Sequence, residues 1–143
     1  MPILLVRHGS AGRRNRWRRD DRLRPLDAAG RRQAAGLVEG LAGFGPTQIL
    51  TSPFRRCIQT VEPLGLALGL PIEERDELAE GASVADALRL VASLPDGAPI
   101  LCTHRALVAD LVGWERQRAK GSAWVLEPDG VRIAPTLYIP PAR

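Results

Sequence analysis

The chain is poor in the residues that build metal, redox and membrane sites. It has two cysteines, two histidines and one lysine among 143 residues, and aromatic residues make up 4%. Because Cys57 and Cys102 have no CxxC neighbour, neither a disulfide framework nor a zinc site is predicted, and no metal or cofactor is expected. No apolar run approaches the roughly 18 residues of a membrane-spanning helix, and no signal peptide is recognisable. We therefore expect a cytoplasmic protein without a membrane partner.

Length and composition predict a single globular domain over residues 1–143. Apolar residues make up 45% and charged residues 25% of the chain. Both fractions are near the averages of folded proteins, which excludes disorder for most of the chain.

Positive charge is concentrated near the N-terminus. The formal net charge is +4, and ten arginines fall within residues 1–35. Since arginine binds phosphate or carboxylate through a planar fork of donors, this segment predicts an anionic partner. A solvated basic loop explains the charge equally well. A nucleic-acid partner is not expected, because residues 13–32 offer only Trp17 for base stacking and contain no known nucleic-acid motif.

Short apolar runs alternate with helical patterns, which predicts an α/β fold with a three-layer, mostly parallel sheet and helices on both faces. The predicted strands cover residues 3–6, 48–51, 71–74 and 99–103. The predicted helices cover residues 34–41, a segment starting at Ser52-Pro53, 84–91 and 104–111. A C-terminal hairpin at the sheet edge is predicted over 123–126 and 131–139, with its turn at 128–130. Ser52 is the expected N-cap of the second helix, which Pro63 is expected to kink or end. Residues 9–25 show no period and predict a long loop, of the kind that is usually functional or mobile.

Both histidines follow predicted strands. His8 comes two residues after the run 3–6, and His104 directly follows the strand 99–103. In open α/β sheets the ligand crevice lies outside the carboxyl ends of the strands. A lone histidine is more often structural than catalytic. Two histidines in the same position favour a shared pocket, provided that their strands are neighbours.

The residues around the histidines suit a tetrahedral anion such as phosphate. Arg7 adjoins His8, Gly9 allows close backbone approach, and Arg55 and Arg56 lie at the start of a predicted helix, whose N-terminus itself favours an anion. No G-x-S-x-G elbow or Walker loop is present. A neutral imidazole can attack phosphorus directly, so a histidine is the natural candidate nucleophile.

These residues resemble the histidine phosphatase superfamily, which has the phosphoglycerate-mutase-like fold. The first matching motif is Arg7-His8-Gly9 after the first strand. The others follow in the family's order, from residue 3 to about 112: RPLD at 24–27 with Gly30 and Gln33-Ala34, TSPFRRCIQT at 51–60, LAE at 78–80 and CTH at 102–104.

The resemblance implies a role for each matching residue. His8 would be the nucleophile that becomes phosphohistidine. The residues that would hold the phosphoryl group are Arg7, Gly9, Arg56 and His104. Glu80 would protonate the leaving oxygen and then activate water, with Glu77 and Asp76 as alternatives for this acid. The candidate residues of the substrate rim are Arg24, Arg55 and Arg105.

The large insertions that cover the site in mutases and phytases are missing here, which predicts an open site suited to a bulky substrate. The chain is similar to the small SixA-type phosphohistidine phosphatases and to the histidine-phosphatase half of MutT-type nucleotide hydrolases. We therefore expect a metal-independent phosphatase acting on protein phosphohistidine. The alternatives are a nucleotide or polyphosphate phosphohydrolase and, in another class, a non-catalytic module that binds phosphate-bearing ligands.

Overall fold

The apolar runs of the sequence form the inner strands of a six-stranded sheet. The structure is a computed structural model that describes residues 1–129 and 132–143. The elements in chain order are β1 (Ile3–Arg7), α1 (Ala28–Ala42), β2 (Gln48–Thr51), α2 (Arg55–Leu68), β3 (Ile72–Glu74), α3 (Val84–Ser93), β4 (Pro99–Thr103), α4 (Arg105–Val112), β5 (Ala123–Asp129) and β6 (Arg132–Ile139). None of these helices is long and apolar enough to cross a membrane.

The sheet has the order β3-β2-β4-β1-β5-β6. The first four strands are parallel, and β5 and β6 are antiparallel to their neighbours. The mostly parallel α/β sheet and the C-terminal hairpin at its edge are thus confirmed. The predicted hairpin turn includes Gly130, and the predicted last strand includes Val131; both of these residues lie outside the described part of the chain.

Helices cover both faces of the sheet. Successive side chains of a strand point to opposite faces, and β1 shows this directly. Leu4 and Val6 pack in a buried cluster with residues of α1 and α2, whereas Leu5 packs in a second cluster with residues of α3 and α4. This explains why the run 3–6 is continuously apolar, as expected of a strand buried on both faces.

The predicted start of α2 is wrong by two residues. The helix begins at Arg55, and Phe54 occupies the N-cap position with extended backbone. The Ser52 hydroxyl accepts a hydrogen bond from the Phe54 amide at 3.2 Å, so it caps a turn that precedes the helix. Pro63, which is expected to kink or end the helix, does not end it. The helix continues to Leu68 and is stopped by Gly69, which adopts a left-handed conformation with φ of 66°.

The loop over residues 9–25 contains two short 3-10 turns, Arg14–Arg16 and Asp21–Leu23. Asp27 fixes the loop to the start of α1. Its carboxylate accepts hydrogen bonds from the Gly30 amide at 2.8 Å, the Ser10 hydroxyl at 2.7 Å and the Gly12 amide at 3.0 Å. A Cβ atom on Gly30 would lie 2.0 Å from the Ser10 carbonyl oxygen, so only glycine permits this close approach.

Candidate active site

The parallel pairing of β1 with β4 brings the two histidines together. Arg7 lies opposite Thr103 in the register, and the His8 amide donates to the Thr103 carbonyl at 3.1 Å. Both imidazoles are buried, and their ring centroids are 5.3 Å apart with an interplanar angle of 64°. Neighbouring parallel strands therefore place His8 and His104 at one edge of the sheet, as the sequence predicts.

His8 is held as a neutral imidazole with one nitrogen free. Its Nδ1 lies 2.8 Å from the Gly9 carbonyl oxygen. Since a carbonyl only accepts, Nδ1 carries the proton and Nε2 keeps its lone pair. The pKa of His8 is lowered to about 3, chiefly by burial and in part by the positive charges nearby, while the Gly9 hydrogen bond acts in the opposite direction. Such an imidazole is in the state that a nucleophile requires.

His104 is oriented by a side chain that the sequence analysis did not single out as functional. Its Nε2 lies 2.8 Å from the Ser52 hydroxyl oxygen and 3.6 Å from the Cys57 sulfur. The buried Nδ1 has no hydrogen-bond partner within the described residues. Ser52 follows β2, which pairs with β4, and this non-local pairing is why sequence spacing alone gives no signal for the contact.

Arg56 is the most deeply buried cation of the site. Its side chain is 1% exposed and lies at the start of α2. Its terminal nitrogens donate to the Asp21 carbonyl at 2.9 Å, the Asp21 carboxylate at 3.1 Å and the Glu80 carboxylate at 3.0 Å. The buried Nε has no partner within the described residues. Two carboxylates thus compensate a charge that burial would otherwise make costly.

Arg7 is held by the backbone on the opposite side of the site. Its Nη1 donates to the Arg118 carbonyl at 2.8 Å, while its buried Nε has no partner in the described part of the chain. Burial lowers the pKa of Arg7, and the charges of Arg105 and Arg118 lower it further. The guanidinium therefore lies in a strongly electropositive environment that a bound anion would relieve.

Gly9 connects the loop after β1 to α2. Its amide donates to the Thr60 hydroxyl at 3.0 Å, and that hydroxyl donates to the Arg56 carbonyl at 2.6 Å. A Cβ atom on Gly9 would lie 3.0 Å from the Gly30 carbonyl oxygen, which is tighter than ordinary contact. Glycine at this position lets the loop pack against α1 and so fixes the backbone next to His8.

Glu80 reaches the site by its contacts with two arginines. One carboxylate oxygen accepts from Arg56 and the other from Arg14. The hydrogen bond and charge of Glu80 raise the pKa of Arg14. Asp76 and Glu77, the alternative acids, lie in the preceding 3-10 turn and do not line the cavity that Glu80 lines.

Asp21 is a second carboxylate of the site, and the sequence analysis missed it. It accepts from Arg24 at 3.0 Å and from Arg56, and it lies 3.5 Å from Arg14. Burial alone would raise the pKa of Asp21, but the hydrogen bond from Arg24 and the three arginine charges hold it below its usual value. Asp21 lies within the aperiodic loop, where the sequence carries no signal for a contact with α2.

One open cavity of about 790 Å³ is bordered by both histidines, Arg7, Arg56 and Glu80. Its lining residues are Arg7, His8, Ala11, Gly12, Arg13, Arg14, Asn15, Arg24, Arg56, Glu80, His104, Arg105, Ala106 and Lys120. Seven of these side chains are cations and one is a carboxylate, so the cavity attracts anions. Arg24 and Arg105 lie at the cavity as expected, whereas Arg55 does not. It is exposed and faces a neighbouring groove with Arg22 and Leu23.

The donor set of the cavity suits a phosphoryl group. It offers arginine donors and two imidazoles, all suited to phosphate oxygens. Within residues 1–129 and 132–143, no group of three or more His, Cys, Asp or Glu side chains is arranged to hold a metal ion. A neutral imidazole next to buried cations is an arrangement suited to nucleophilic phosphoryl transfer.

The comparison with protein families agrees with the motifs of the sequence. The sequence profile described as "Histidine phosphatase superfamily (branch 1)" matches residues 3–84. The chain belongs to the histidine phosphatase superfamily, as its motifs predict.

Two curated relatives are phosphatases by name. The chain is 40% identical over 156 residues to an 8-oxo-(d)GTP phosphatase of Mycolicibacterium smegmatis, covering 97% of this chain and 48% of the relative. It is 35% identical over 83 residues to the uncharacterized phosphatase PhoE of Bacillus subtilis, covering 54% of this chain and 41% of that one. The chain thus spans about half the length of the curated relatives it matches, or less.

Among solved structures, the chain is similar to the protein histidine phosphatase SixA complexed with tungstate. The TM-score is 0.83 at 24% identity, with 97% of this chain and 96% of that chain covered. At this identity the likeness shows the fold. It confirms the expected phosphoglycerate-mutase-like architecture of the sheet and helices.

Proposed function

We propose that the chain is a phosphatase that works without a metal ion through a phosphohistidine formed on His8. The observation that carries the proposal is a set of three buried nitrogens around a neutral imidazole. Arg7 Nε, Arg56 Nε and His104 Nδ1 have no hydrogen-bond partner within the described residues, and all three side chains line the cavity with His8. Unpaired buried polar groups are costly, so they point to a ligand with several acceptor oxygens.

The first step is attack by His8 Nε2 on the phosphorus of the substrate. The bond from phosphorus to the leaving oxygen breaks. Glu80, which is paired as a carboxylate with Arg14 and Arg56 in this structure, must first take up a proton and then gives it to that oxygen. Arg7, Arg56 and His104 bind the phosphoryl oxygens and stabilise the charge that develops on them. The product of this step is phosphohistidine whose Nδ1–H still donates to the Gly9 carbonyl.

The second step returns the enzyme to its starting state. Glu80, now a carboxylate, takes a proton from a water molecule that attacks the phosphorus. The bond from phosphorus to His8 Nε2 breaks, inorganic phosphate leaves, and Glu80 is again in its acid form. Splitting hydrolysis into two displacements replaces one difficult step by two easier ones.

We propose that the substrate is a nucleoside polyphosphate rather than a protein phosphohistidine. The cavity has more cations than a single phosphoryl group needs. Besides Arg7 and Arg56 they include Arg13, Arg105 and Lys120. The 40% identical relative is named for a nucleotide substrate, and the SixA likeness rests on fold at 24% identity. An open cavity of about 790 Å³ admits a nucleotide.

The test is phosphate release from p-nitrophenyl phosphate in excess EDTA. We expect turnover by the wild type, none above background for His8→Ala, and full turnover for Arg89→Ala, which removes an exposed cation on α3. Equal activity of wild type and His8→Ala would contradict the His8 mechanism. No activity in either, with orthophosphate still bound, would instead indicate the non-catalytic phosphate-binding module.

The substrate class is tested with the same variants. Phosphate release is compared for a nucleoside triphosphate and for a phosphohistidine-bearing protein at equal concentration. A higher kcat/KM for the nucleotide supports the proposal. A higher kcat/KM for the phosphoprotein would support the SixA-like hypothesis instead.

A further inference from the structure

An exposed tryptophan lies beside the mouth of the cavity, between two arginines. The Trp114 side chain follows α4, and the residue is 52% exposed. The guanidinium carbon of Arg105 lies 5.6 Å from its ring centroid, and that of Arg118 lies 5.0 Å from it. Both distances are within the range of an attractive cation–π interaction. A large exposed aromatic ring at this place is not explained by core packing.

Hydrogen bonds fix this ring relative to the inner site. Its Nε1 donates to the Asp110 carboxylate at 3.0 Å, and Arg118 Nη1 donates to the Trp114 carbonyl at 2.8 Å. The Arg118 carbonyl accepts from Arg7 Nη1 at 2.8 Å. Trp114 is therefore tied through Arg118 to one of the arginines that line the cavity.

Arg105 is one of the cavity arginines whose charge no carboxylate compensates within the described residues, as are Arg7 and Arg13. Arg14, Arg24 and Arg56 share the carboxylates of Asp21 and Glu80. Arg105 has no carboxylate within 4.0 Å in the described part of the chain and lies over Trp114 instead. It is exposed at the start of α4, directly after the buried His104, so it stands at the mouth while the inner donors lie deeper.

We propose that Trp114 is a positioning residue that holds Arg105 at the mouth of the cavity to bind a second phosphate group of the substrate. A free arginine on the surface samples many rotamers, and an aromatic ring beneath it restricts them without neutralising its charge. Trp114 then determines the preference for substrates with more than one phosphate. This inference rests on the proposed function and adds a specificity determinant to it.

Binding of two inorganic probes tests the role directly. Orthophosphate fills only the inner site, whereas tripolyphosphate also reaches the mouth. Calorimetric affinities for both are compared in the wild type, Trp114→Leu, Trp114→Phe, Arg105→Ala and the double variant Trp114→Leu/Arg105→Ala. We expect Trp114→Leu and Arg105→Ala each to weaken tripolyphosphate binding about fivefold. Trp114→Leu should leave orthophosphate binding within twofold.

Three further readouts separate positioning from a structural role. Trp114→Phe keeps a ring under Arg105 and should retain most of the tripolyphosphate affinity. The double variant should bind tripolyphosphate no more weakly than Arg105→Ala alone, because Trp114 acts through Arg105. The matched control is Arg116→Ala, which removes a nearby exposed cation that lies over Trp124 rather than at the cavity. It should leave both affinities unchanged.

Unchanged tripolyphosphate affinity in Trp114→Leu would overturn the inference, as would additive losses in the double variant. An equal loss of orthophosphate affinity would also overturn it, because the ring would then support the inner site in general. Failure of the wild type to bind orthophosphate contradicts the proposed function itself. Thermal unfolding of each variant shows that it is folded, as expected for a half-exposed side chain.

Discussion

The lowered pKa of the buried His8 predicts how the free energy of unfolding changes with pH. Its pKa in the folded protein is about 3, against 6.5 for an unperturbed histidine. The unfolded chain therefore binds more protons at this residue between those two values, and stability is lost as the pH falls through that interval. Relative to a pH well above 6.5, this difference in proton binding lowers the free energy of unfolding by about 0.8 kcal/mol at pH 6 and by about 2.7 kcal/mol at pH 4.5. Lowering the pH from 6 to 4.5 should thus cost about 2 kcal/mol through His8 alone.

The assay is urea unfolding of the wild type and of His8→Gln at pH 6 and pH 4.5. Most other titrating groups contribute equally to the two proteins and cancel in the difference. Burial would raise the pKa values of Asp21 and Asp27, but hydrogen bonds and positive charges hold them low. The stability that these two carboxylates contribute is therefore lost chiefly below pH 4.5. The wild type should lose about 2 kcal/mol more than the variant between the two pH values. Parallel losses would refute a neutral, desolvated His8.

Three substitutions test other parts of the account. Ser52→Ala removes the hydrogen-bond partner of His104 and should lower kcat about tenfold or more in the phosphatase assay with little change in KM; an unchanged kcat would contradict a positioning role. Glu80→Gln should slow alkyl phosphates, which are poor leaving groups, by about 10²-fold or more and nitrophenyl phosphate far less; equal losses would remove Glu80 from the acid role. Gly30→Ala should destabilise the protein by about 1–3 kcal/mol in urea unfolding, whereas Gly43→Ala, which meets nothing within 4 Å, should be nearly neutral; equal effects would contradict the packing argument.

Much of the fold could be predicted because its inner strands carry a local signal. The continuous apolar runs at 3–6 and 99–103 indicate strands buried on both faces, and they become the adjacent β1 and β4. A polar residue directly after such a strand must then lie at the ligand edge of the sheet. His8 and His104 could be placed in this way, since each position depends only on its own strand.

The rest of the site could not be predicted because it depends on contacts between distant segments. Asp21 and Arg14 lie in an aperiodic loop, and only the folded loop brings them to Arg56 and Glu80. The sequence predicts Ser52 as a helix N-cap, yet its hydroxyl hydrogen-bonds to His104 and caps a turn that precedes the helix.

The adjacent residues Arg55 and Arg56 at the start of α2 point in different directions. Arg56 points into the site at the start of α2, while Arg55 faces the neighbouring groove. Residues one apart on a helix do not face the same way, so only one of the two arginines can serve the cavity. The family motif distinguishes them, whereas charge and composition do not.

The network of Asp21 and Glu80 around Arg56 explains how a nearly inaccessible cation is kept in the site. Two carboxylates compensate most of its charge, and its Nε has no partner among residues 1–129 and 132–143. A bound phosphoryl group would satisfy this nitrogen without displacing either carboxylate.

The central claim is that His8 carries the phosphoryl group during turnover. Its most direct test is acid-free denaturation of the protein during steady-state hydrolysis, followed by mass spectrometry of the intact chain and of its peptides. The account predicts a mass gain of one phosphoryl group that maps to His8, is lost on mild acid treatment and is absent from His8→Ala. Turnover with no such adduct on the wild type, or with the adduct on another residue, would contradict it.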